Sequence, residues 1–193
     1  WSMIGYLHRE PANAVDMTVP IVDNMIIMKD YLGSVYWPML DINSIGDLTP
    51  GFGYYLKTDN SSVFSYPDLQ NGRFTSDLPQ WYSSKYDSPK NTGNNMTVGI
   101  PSDIWLNKPV LGDELVVYDQ NGLMAGNAPY KPDFSVVAVW GDDELTSEKD
   151  GLAVGEEFVV KLWRQNESTE EVVNIDSWQE GSGNYFVNSI GIA

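Results

Sequence analysis

Short apolar runs separated by turn residues limit what this chain can fold into more than any other feature. The runs are rich in Val, Ile, Tyr, Phe or Trp and bounded by Gly, Pro, Asn or Asp, a pattern typical of β-strands. One stretch, 11–25, favours a short helical turn, which Pro20 interrupts. The chain is therefore expected to be all-β. The runs are 1–7, 24–31, 53–58, 62–66, 95–100, 113–119, 134–140, 156–163, 170–175 and 184–190.

Glycines at candidate hairpin positions indicate how the strands connect. Four glycines lie in short turn-like dipeptides near the apolar runs: Gly33, Gly72, Gly122 and Gly151. Such glycines supply the positive φ angles of tight turns, so neighbouring strands are expected to be antiparallel.

An internal repeat further narrows the architecture. In each half a strand precedes a second strand that ends in Asp with Gly three residues on, followed by Leu-x-x-Gly and an aromatic strand. Asp30 and Gly33 are therefore expected to occupy a turn equivalent to that of Asp119 and Gly122. Chance similarity among strand-rich segments is the alternative. The matched segments are 3–7, 26–36 and 48–57 in the first half, and 96–101, 115–125 and 152–163 in the second.

The repeat predicts two related antiparallel β-sandwich or partial-barrel units from an internal duplication. We place the first unit at 1–75, an aromatic-containing crossover at 76–90, and the second unit at 91–193. Gly33 and Gly51 are 18 residues apart whereas Gly122 and Gly155 are 33 apart, so the second unit carries 15 extra residues. Loop tips tolerate insertions, so these residues are expected to form a loop.

Charge and composition exclude several classes of function. The chain has 27 acidic and 11 basic residues, a net charge of −16, which disfavours nucleic acids and anionic membrane surfaces. It has no cysteine and one histidine, His8. The side chains needed for thiolate sites, zinc sites and serine–histidine triads are therefore almost absent. No apolar run is long enough for a transmembrane helix, so membrane insertion is not expected.

The inserted loop is strongly acidic. Five acidic residues lie within nine positions, and Lys149 is the one basic residue in the loop. The acidic residues are Asp142, Asp143, Glu144, Glu148 and Asp150. Calcium takes six to eight oxygen ligands, and Asp142, Asp143, Glu144 and Asp150 could furnish several. The spacing is not that of an EF-hand, and a solvated turn is the alternative. Calcium is the one cofactor that the sequence predicts.

Catalysis finds little support. Glycoside hydrolysis needs two carboxylates facing each other across a cleft, and among 27 acids nothing singles out such a pair. No Gly-x-Ser-x-Gly elbow, phosphate loop or His-Glu-x-x-His motif is present. The chain is expected not to be an enzyme, with a glycoside-active enzyme kept as a minor alternative.

Aromatic side chains in turn-like contexts suggest a binding surface. Flat rings stack on the apolar faces of sugars while nearby polar groups bind the hydroxyls. Sealing the ends of a β-sandwich is the alternative role. The candidates, each within two residues of Pro, Ser, Asn or Gly, are Tyr36, Trp37, Trp81, Tyr82, Tyr86, Trp105 and Trp178.

Two stretches carry a resemblance to a class of known proteins. Residues 112–126 with 136–163 join a Gly-Asp-Glu strand, an Asp-x-x-Gly turn, a Trp-Gly-Asp-Asp loop and a Gly-Glu strand. This resembles β-rich repeat modules of secreted or cell-surface multidomain proteins of Bacteroidetes-type bacteria, and 29–57 looks like a companion repeat. The resemblance implies an extracellular, non-catalytic accessory or adhesion part of a larger protein.

These observations lead to one expected function and one alternative from another class. The expected function is a non-catalytic extracellular or cell-surface binding module with a polysaccharide or glycan as partner. The alternative is a structural spacer or adhesin module that contacts protein. Exposed rings would favour sugar, whereas buried rings and a large apolar patch would favour protein.

Overall fold

A computed structural model describes residues 1–67 and 84–193. The chain divides into two compact units, Trp1–Gln80 and Trp81–Ala193. Strands in antiparallel sheets dominate both, and the α-helix of the described residues is five residues long, so the predicted all-β class is confirmed. Most of the predicted crossover 76–90 lies outside the described residues. Within those residues no helix is long and apolar enough to cross a membrane.

The first unit is built on one five-stranded antiparallel sheet in the order β1-β7-β3-β4-β5. A two-stranded pair, β2 with β6, lies apart from it. The strands are β1 (Ser2–Gly5), β2 (Ala12–Asn13), β3 (Met25–Lys29), β4 (Val35–Trp37), β5 (Ile42–Asn43), β6 (Asp47–Leu48) and β7 (Gly53–Thr58).

The predicted helical turn is present between β2 and β3. Helix α1 spans Ala14–Thr18, and the Asn13 side chain caps it by accepting the Val15 N–H at 2.9 Å. A 3-10 helix follows at Val19–Asn24 with Pro20 in its first turn. A second 3-10 helix, Pro38–Leu40, joins β4 to β5.

The core of the first unit lies between the sheet and the segment that contains α1. A bulge between Met25 and Ile27 places Met25 and Met28 on the same face of β3. Phe64 and Tyr66 pack against this core from a segment that is not a strand, so the predicted strand at 62–66 is wrong. The buried members are Tyr6, Ala12, Ala14, Met17, Ile21, Met25, Met28, Tyr36, Leu48, Tyr54 and Leu56.

The second unit packs two sheets face to face. One has the order β10-β9-β12-β13 and the other β11-β8-β14. Strand β14 pairs with β8 in parallel, a departure from the expected antiparallel pattern. The strands are β8 (Asn95–Pro101), β9 (Glu114–Asp119), β10 (Met124–Pro129), β11 (Phe134–Trp140), β12 (Phe158–Arg164), β13 (Thr169–Val172) and β14 (Ile190–Ile192).

Alternating residues of both sheets fill the core of the second unit, as in a β-sandwich. Gly126 of β10 lets the two sheets approach, because a Cβ there would lie 2.5 Å from the carbonyl oxygen of Ala138 in β11. The central buried residues are Met96, Val98, Ile100, Leu115, Val117, Val137, Val139, Leu152, Val160 and Leu162.

The two turns singled out by the repeat have the same hydrogen bonds. Asp30 Oδ1 accepts the N–H groups of Leu32 and Ser34 at 2.9 and 2.8 Å. Asp119 Oδ1 accepts those of Asn121 and Leu123, both at 2.8 Å. Gly33 and Gly122 follow with φ of 87° and 90°. The turns are therefore alike in detail, while the duplication itself, a statement about descent, stays a prediction.

The Leu-x-x-Gly turns also match, but their partner comes from a different place in each unit. Gly51 donates its N–H to the carbonyl of Tyr6 at 2.8 Å, and Gly155 donates to that of Tyr185 at 2.7 Å. Tyr6 follows β1, whereas Tyr185 lies near the C-terminal end of its unit. The predicted equivalence of 3–7 with 96–101 is therefore wrong, since β1 pairs with β7 while β8 lies in the other sheet.

Substitution of Gly151 tests the close packing of the backbone where the acidic loop begins and ends. A Cβ there would lie well inside van der Waals contact with the carbonyl group of Gly141. We expect Gly151→Ala to lower the free energy of unfolding by about 1–3 kcal/mol, measured by urea denaturation. Gly183→Ala is the control, since its nearest neighbour, Trp178, is 3.4 Å away. Equal stability of the two variants would contradict the packing described.

Candidate functional site

The predicted sugar-binding rings of β4 are buried. Trp37 has no exposed surface, and Tyr36 is 5% exposed within the core of the first unit. In a strand covered on both faces, neither ring offers a face to a ligand. The prediction that Tyr36 and Trp37 form a ligand surface is therefore wrong, while Trp81 and Tyr82 lie outside the described residues.

Trp105 and Trp178 are half-buried supports of the second unit's core. The Trp105 ring meets Tyr130 edge-on at 6.1 Å, and the Trp178 ring meets Phe158 edge-on at 5.8 Å. Both side chains pack against the core cluster. Their placement fits the alternative that turn aromatics seal a sandwich.

Tyr86 belongs to a polar and aromatic cluster on the outer face of β9, β12 and β13. Its hydroxyl donates to Glu170 Oε1 at 2.6 Å, and the Tyr118 hydroxyl donates to the same oxygen at 2.8 Å. Burial and the Glu170 carboxylate raise the pKa of Tyr118 to about 12. Lys85 Nζ lies 3.1 Å from the centre of the Trp163 ring. Charged side chains of the same chain therefore hold these rings: Glu170 binds Tyr86 and Tyr118, and Lys85 lies over Trp163.

Glu114 anchors the segment that carries this cluster. Its side chain accepts hydrogen bonds from the Ser84 hydroxyl, the Lys85 N–H at 3.1 Å and the Asn127 amide at 2.8 Å. Glu114 has no exposed surface, so its carboxylate depends on these donors. Residues 84–86 are therefore fixed to the sheet of the second unit.

The acidic loop is organised by its own backbone and by lysines. Asp142 Oδ1 accepts the Asp150 N–H at 2.8 Å, and Asp150 Oδ1 accepts the Asp143 N–H at 2.9 Å. Lys90 forms an ion pair with Asp150, and this hydrogen bond, with that from Asp143, lowers the Asp150 pKa to about 2. Glu144 is exposed. Among residues 1–67 and 84–193, no group of three or more potential metal ligands is found.

Lys149 reaches out of the loop to the Asp119 turn. Its ammonium lies 2.6 Å from Asp119 Oδ2 and 2.6 Å from Glu156 Oε1. Burial alone would raise the pKa of Asp119, but the Lys149 ammonium and the turn N–H groups outweigh it and hold that pKa below its usual value. The loop thus supplies the cation for a carboxylate that is 3% exposed.

An open aromatic cavity lies at the corresponding turns of the first unit. Tyr31 and Phe52 are 54% and 42% exposed, with ring centres 5.7 Å apart and planes inclined by 29°. They line a cavity of about 170 Å³, which we call the aromatic cavity. Its other lining residues are Asp30, Leu32, Ile45, Asp47, Thr49, Gly53 and Tyr54.

Two carboxylates give the aromatic cavity its charge. Asp30 uses Oδ1 for both turn hydrogen bonds, and burial raises its pKa. Asp47 lies on β6, and its buried Oδ1 has no hydrogen-bond partner within the described part of the chain. The Tyr54 hydroxyl accepts the Thr49 N–H at 2.7 Å, which fixes the rim. Exposed rings and acidic groups therefore converge in one place.

Sequence reasoning missed Tyr31 and Phe52. Both lie beside turn glycines, in Asp-Tyr-Leu-Gly (30–33) and Pro-Gly-Phe-Gly (50–53). The search for rings next to turn residues could have found them. The repeat carried the stronger signal, since it had already marked both turns.

Two larger cavities are less suited to stacking on a ligand. One of about 540 Å³ in the second unit is lined mainly by charged and amide side chains, and its Arg164 is paired with Asp113 and Glu171. Another of about 420 Å³ in the first unit has a rim of Asn60, Ser61 and Ser62. The described lining of neither includes a stacked pair of exposed rings.

Comparison with known proteins returns nothing that assigns a function. No protein-family model matches the chain, and no curated protein or solved structure matches it. The resemblance to bacterial surface modules therefore stays an expectation, and function is inferred from the chain's own residues.

The Lys149 contacts predict a pH-dependent loss of stability in Lys149→Met. At pH 7 the variant leaves Asp119 without its cation, and we expect the unfolding free energy to fall by about 1–2 kcal/mol after allowance for solvent screening. Because the Asp119 pKa is lowered in the folded state, this contribution is present above about pH 4 and is lost as the pH falls through the lowered value. Urea denaturation between pH 7 and pH 2 measures it.

Lys131→Met is the matched control, since Lys131 is exposed and none of the ion pairs among the described residues involves it. A Lys149→Met effect that equals the control, or that grows below pH 4, would contradict the assigned role.

The calcium prediction for Asp142, Asp143, Glu144 and Asp150 is checked by thermal melts. If the loop binds calcium, millimolar calcium raises the melting temperature by mass action, and magnesium does so less because it demands octahedral geometry. Asp142→Asn combined with Asp150→Asn should abolish the effect. Identical melts in calcium and in chelator would leave the loop as a turn held by Lys90 and Lys149.

Proposed function

We propose that the chain is a non-catalytic binding module of an extracellular or cell-surface protein, and that it binds carbohydrate in the aromatic cavity. The observation that carries the proposal is the stacked, exposed pair Tyr31 and Phe52 beside the carboxylates of Asp30 and Asp47. A ring platform with a few polar groups is the arrangement that recognises a sugar.

The size of the cavity limits what it can hold. At about 170 Å³ it is smaller than the roughly 300–1,000 Å³ of pockets for drug-sized ligands. It therefore suits one sugar ring or one side chain of a longer ligand. Thr49, which lines the cavity and is exposed, is the residue proposed to bind a sugar unit outside it.

The charge of the chain supports a partner that is not anionic. With a net charge of −16, the chain repels acidic polysaccharides at long range. A neutral or positively charged glycan avoids that repulsion. The partner proposed is therefore a glycan without acidic groups.

A protein partner is the second candidate, and one surface favours it. Leu106, Val110 and Leu111 are 101%, 49% and 76% exposed in the loop between β8 and β9. Exposed apolar side chains that form one continuous patch mark protein contacts, and these three are the candidates for such a patch. Under this alternative the chain is a spacer or adhesin module.

Titration with glycans tests the carbohydrate proposal. We expect Phe52→Ala to weaken glycan binding by about tenfold or more, because one stacking ring is removed. Isothermal titration calorimetry with soluble oligosaccharides, preceded by a glycan array and insoluble-polysaccharide pull-down, measures the effect.

Phe186→Ala is the matched control, since Phe186 is 46% exposed in the other unit. Binding that is absent on every glycan, or that Phe186→Ala reduces as much as Phe52→Ala does, would overturn the proposal and favour the protein-contact alternative.

A further inference from the structure

The two units place different groups at the same turn position. Phe52 donates its N–H to the carbonyl of Thr49 at 3.1 Å, and Glu156 donates to that of Ala153 at 3.0 Å. Gly51 and Gly155, which precede them, have φ of 82° and 84°. The carbonyls of Phe52 and Glu156 also accept equivalent N–H groups, so the two residues correspond.

The neighbouring strands keep the Asp turns in the same relation to these positions. Lys29 of β3 pairs with Tyr55 of β7, and Tyr118 of β9 pairs with Val159 of β12. In each pair the first residue comes one position before the Asp, and the second comes four positions after Gly51 or Gly155. Asp30 therefore has the same position relative to Phe52 in the first unit as Asp119 has relative to Glu156 in the second.

In the second unit this position is occupied by an ammonium group. Lys149 Nζ contacts Asp119 Oδ2 and Glu156 Oε1, each at 2.6 Å. Asp119 uses its other oxygen, Oδ1, for the turn. The chain thus contains its own example of what a carboxylate in this turn binds.

In the first unit the same position opens into the aromatic cavity. Asp30 also commits Oδ1 to the turn, and Phe52 replaces the second carboxylate with a ring. Asp47 restores a second negative charge in the cavity wall. Ring faces attract cations through their quadrupole, so stacked rings with carboxylates form a site for an organic cation.

We propose that the aromatic cavity binds a primary ammonium group, and that the ligand is consequently a glycan with free amino groups. This rests on the proposed function for the glycan part, whereas the ammonium part follows from the match with Lys149. Asp30 Oδ2 accepts from the ammonium, and the stacked pair of Phe52 and Tyr31 rings lies beside it in the cavity wall. None of the ion pairs found among residues 1–67 and 84–193 involves Asp30 or Asp47, so a neutral sugar would supply no cation to either carboxylate.

Three tetramers of matched length and one single amino-acid probe separate the possibilities in calorimetric titrations at physiological ionic strength. They are a glucosamine tetramer, its N-acetylated counterpart, a glucose tetramer and Nα-acetyl-lysine amide. We expect the glucosamine tetramer to bind at least about tenfold more tightly than either neutral tetramer, since only it carries ammonium groups.

Each outcome decides between the two proposals. Equal affinity for all three tetramers would overturn the ammonium inference and leave the carbohydrate function standing. Binding of the lysine amide with no binding of any tetramer would support the ammonium site but overturn the glycan ligand, and so favour a protein partner. Absence of binding by every probe would overturn both.

Two variants distinguish the cavity from the general negative charge of the chain. Asp30→Asn keeps Oδ1 for the turn and removes the charge, and we expect it to abolish the preference for glucosamine. Asp23→Asn makes the same change in charge at an exposed position of the same unit and should leave the preference intact. Circular dichroism melts confirm that both variants are folded. Equal losses in the two would show that long-range charge alone causes the preference.

Discussion

One carboxylate in each unit holds a hairpin turn by accepting two backbone N–H groups through a single oxygen. In the first unit it is Asp30, and in the second it is Asp119. The arrangement stabilises the turn, but it keeps a negative charge on the other oxygen at a partly enclosed position. A carboxylate so placed requires a cation or solvent nearby, and what meets this need differs between the units.

In the second unit the acidic loop supplies the cation through Lys149. Lys149 binds Asp119 and Glu156, and Lys90 binds Asp150, so three ion pairs made by two lysines tie the acidic loop to the rest of the second unit. The density of acids in the loop is thus tolerated partly because the fold supplies these lysines. In the first unit, where only 18 residues separate Gly33 from Gly51, the corresponding space is the aromatic cavity.

Local signals in the sequence were sufficient for the fold class and for the turns. Strand runs bounded by turn residues identified most strands, and the Asp-x-x-Gly spacing identified two turns that have the same hydrogen bonds. Pairing between distant segments was not predictable, because it depends on contacts that no local pattern encodes. The parallel pairing of β14 with β8 and the different partners of β1 and β8 are of this kind.

The candidate site shows the same limit. Proximity to proline or glycine identified rings such as Trp37, yet β4 is covered on both faces and buries it. Whether a ring is exposed depends on the layers that cover its strand, which sequence proximity does not reveal. Tyr31 and Phe52 could have been identified from the repeat pattern in the sequence. That pattern aligns the turn of Tyr31 with that of Gln120, and the turn of Phe52 with that of Glu156.

The two units carry different residues at the same turn position, Phe52 in the first and Glu156 in the second. This difference changes what the turn can bind. A carboxylate at position 156 forms a closed ion pair with a lysine of the same chain, whereas a ring at position 52 leaves the cavity open to solvent. A ring attracts a cation less strongly than a carboxylate does, but it loses less hydration on binding and discriminates by shape. One turn geometry thus supports an internal structural contact in the second unit and an open cavity in the first, where we propose that an exchangeable ligand binds.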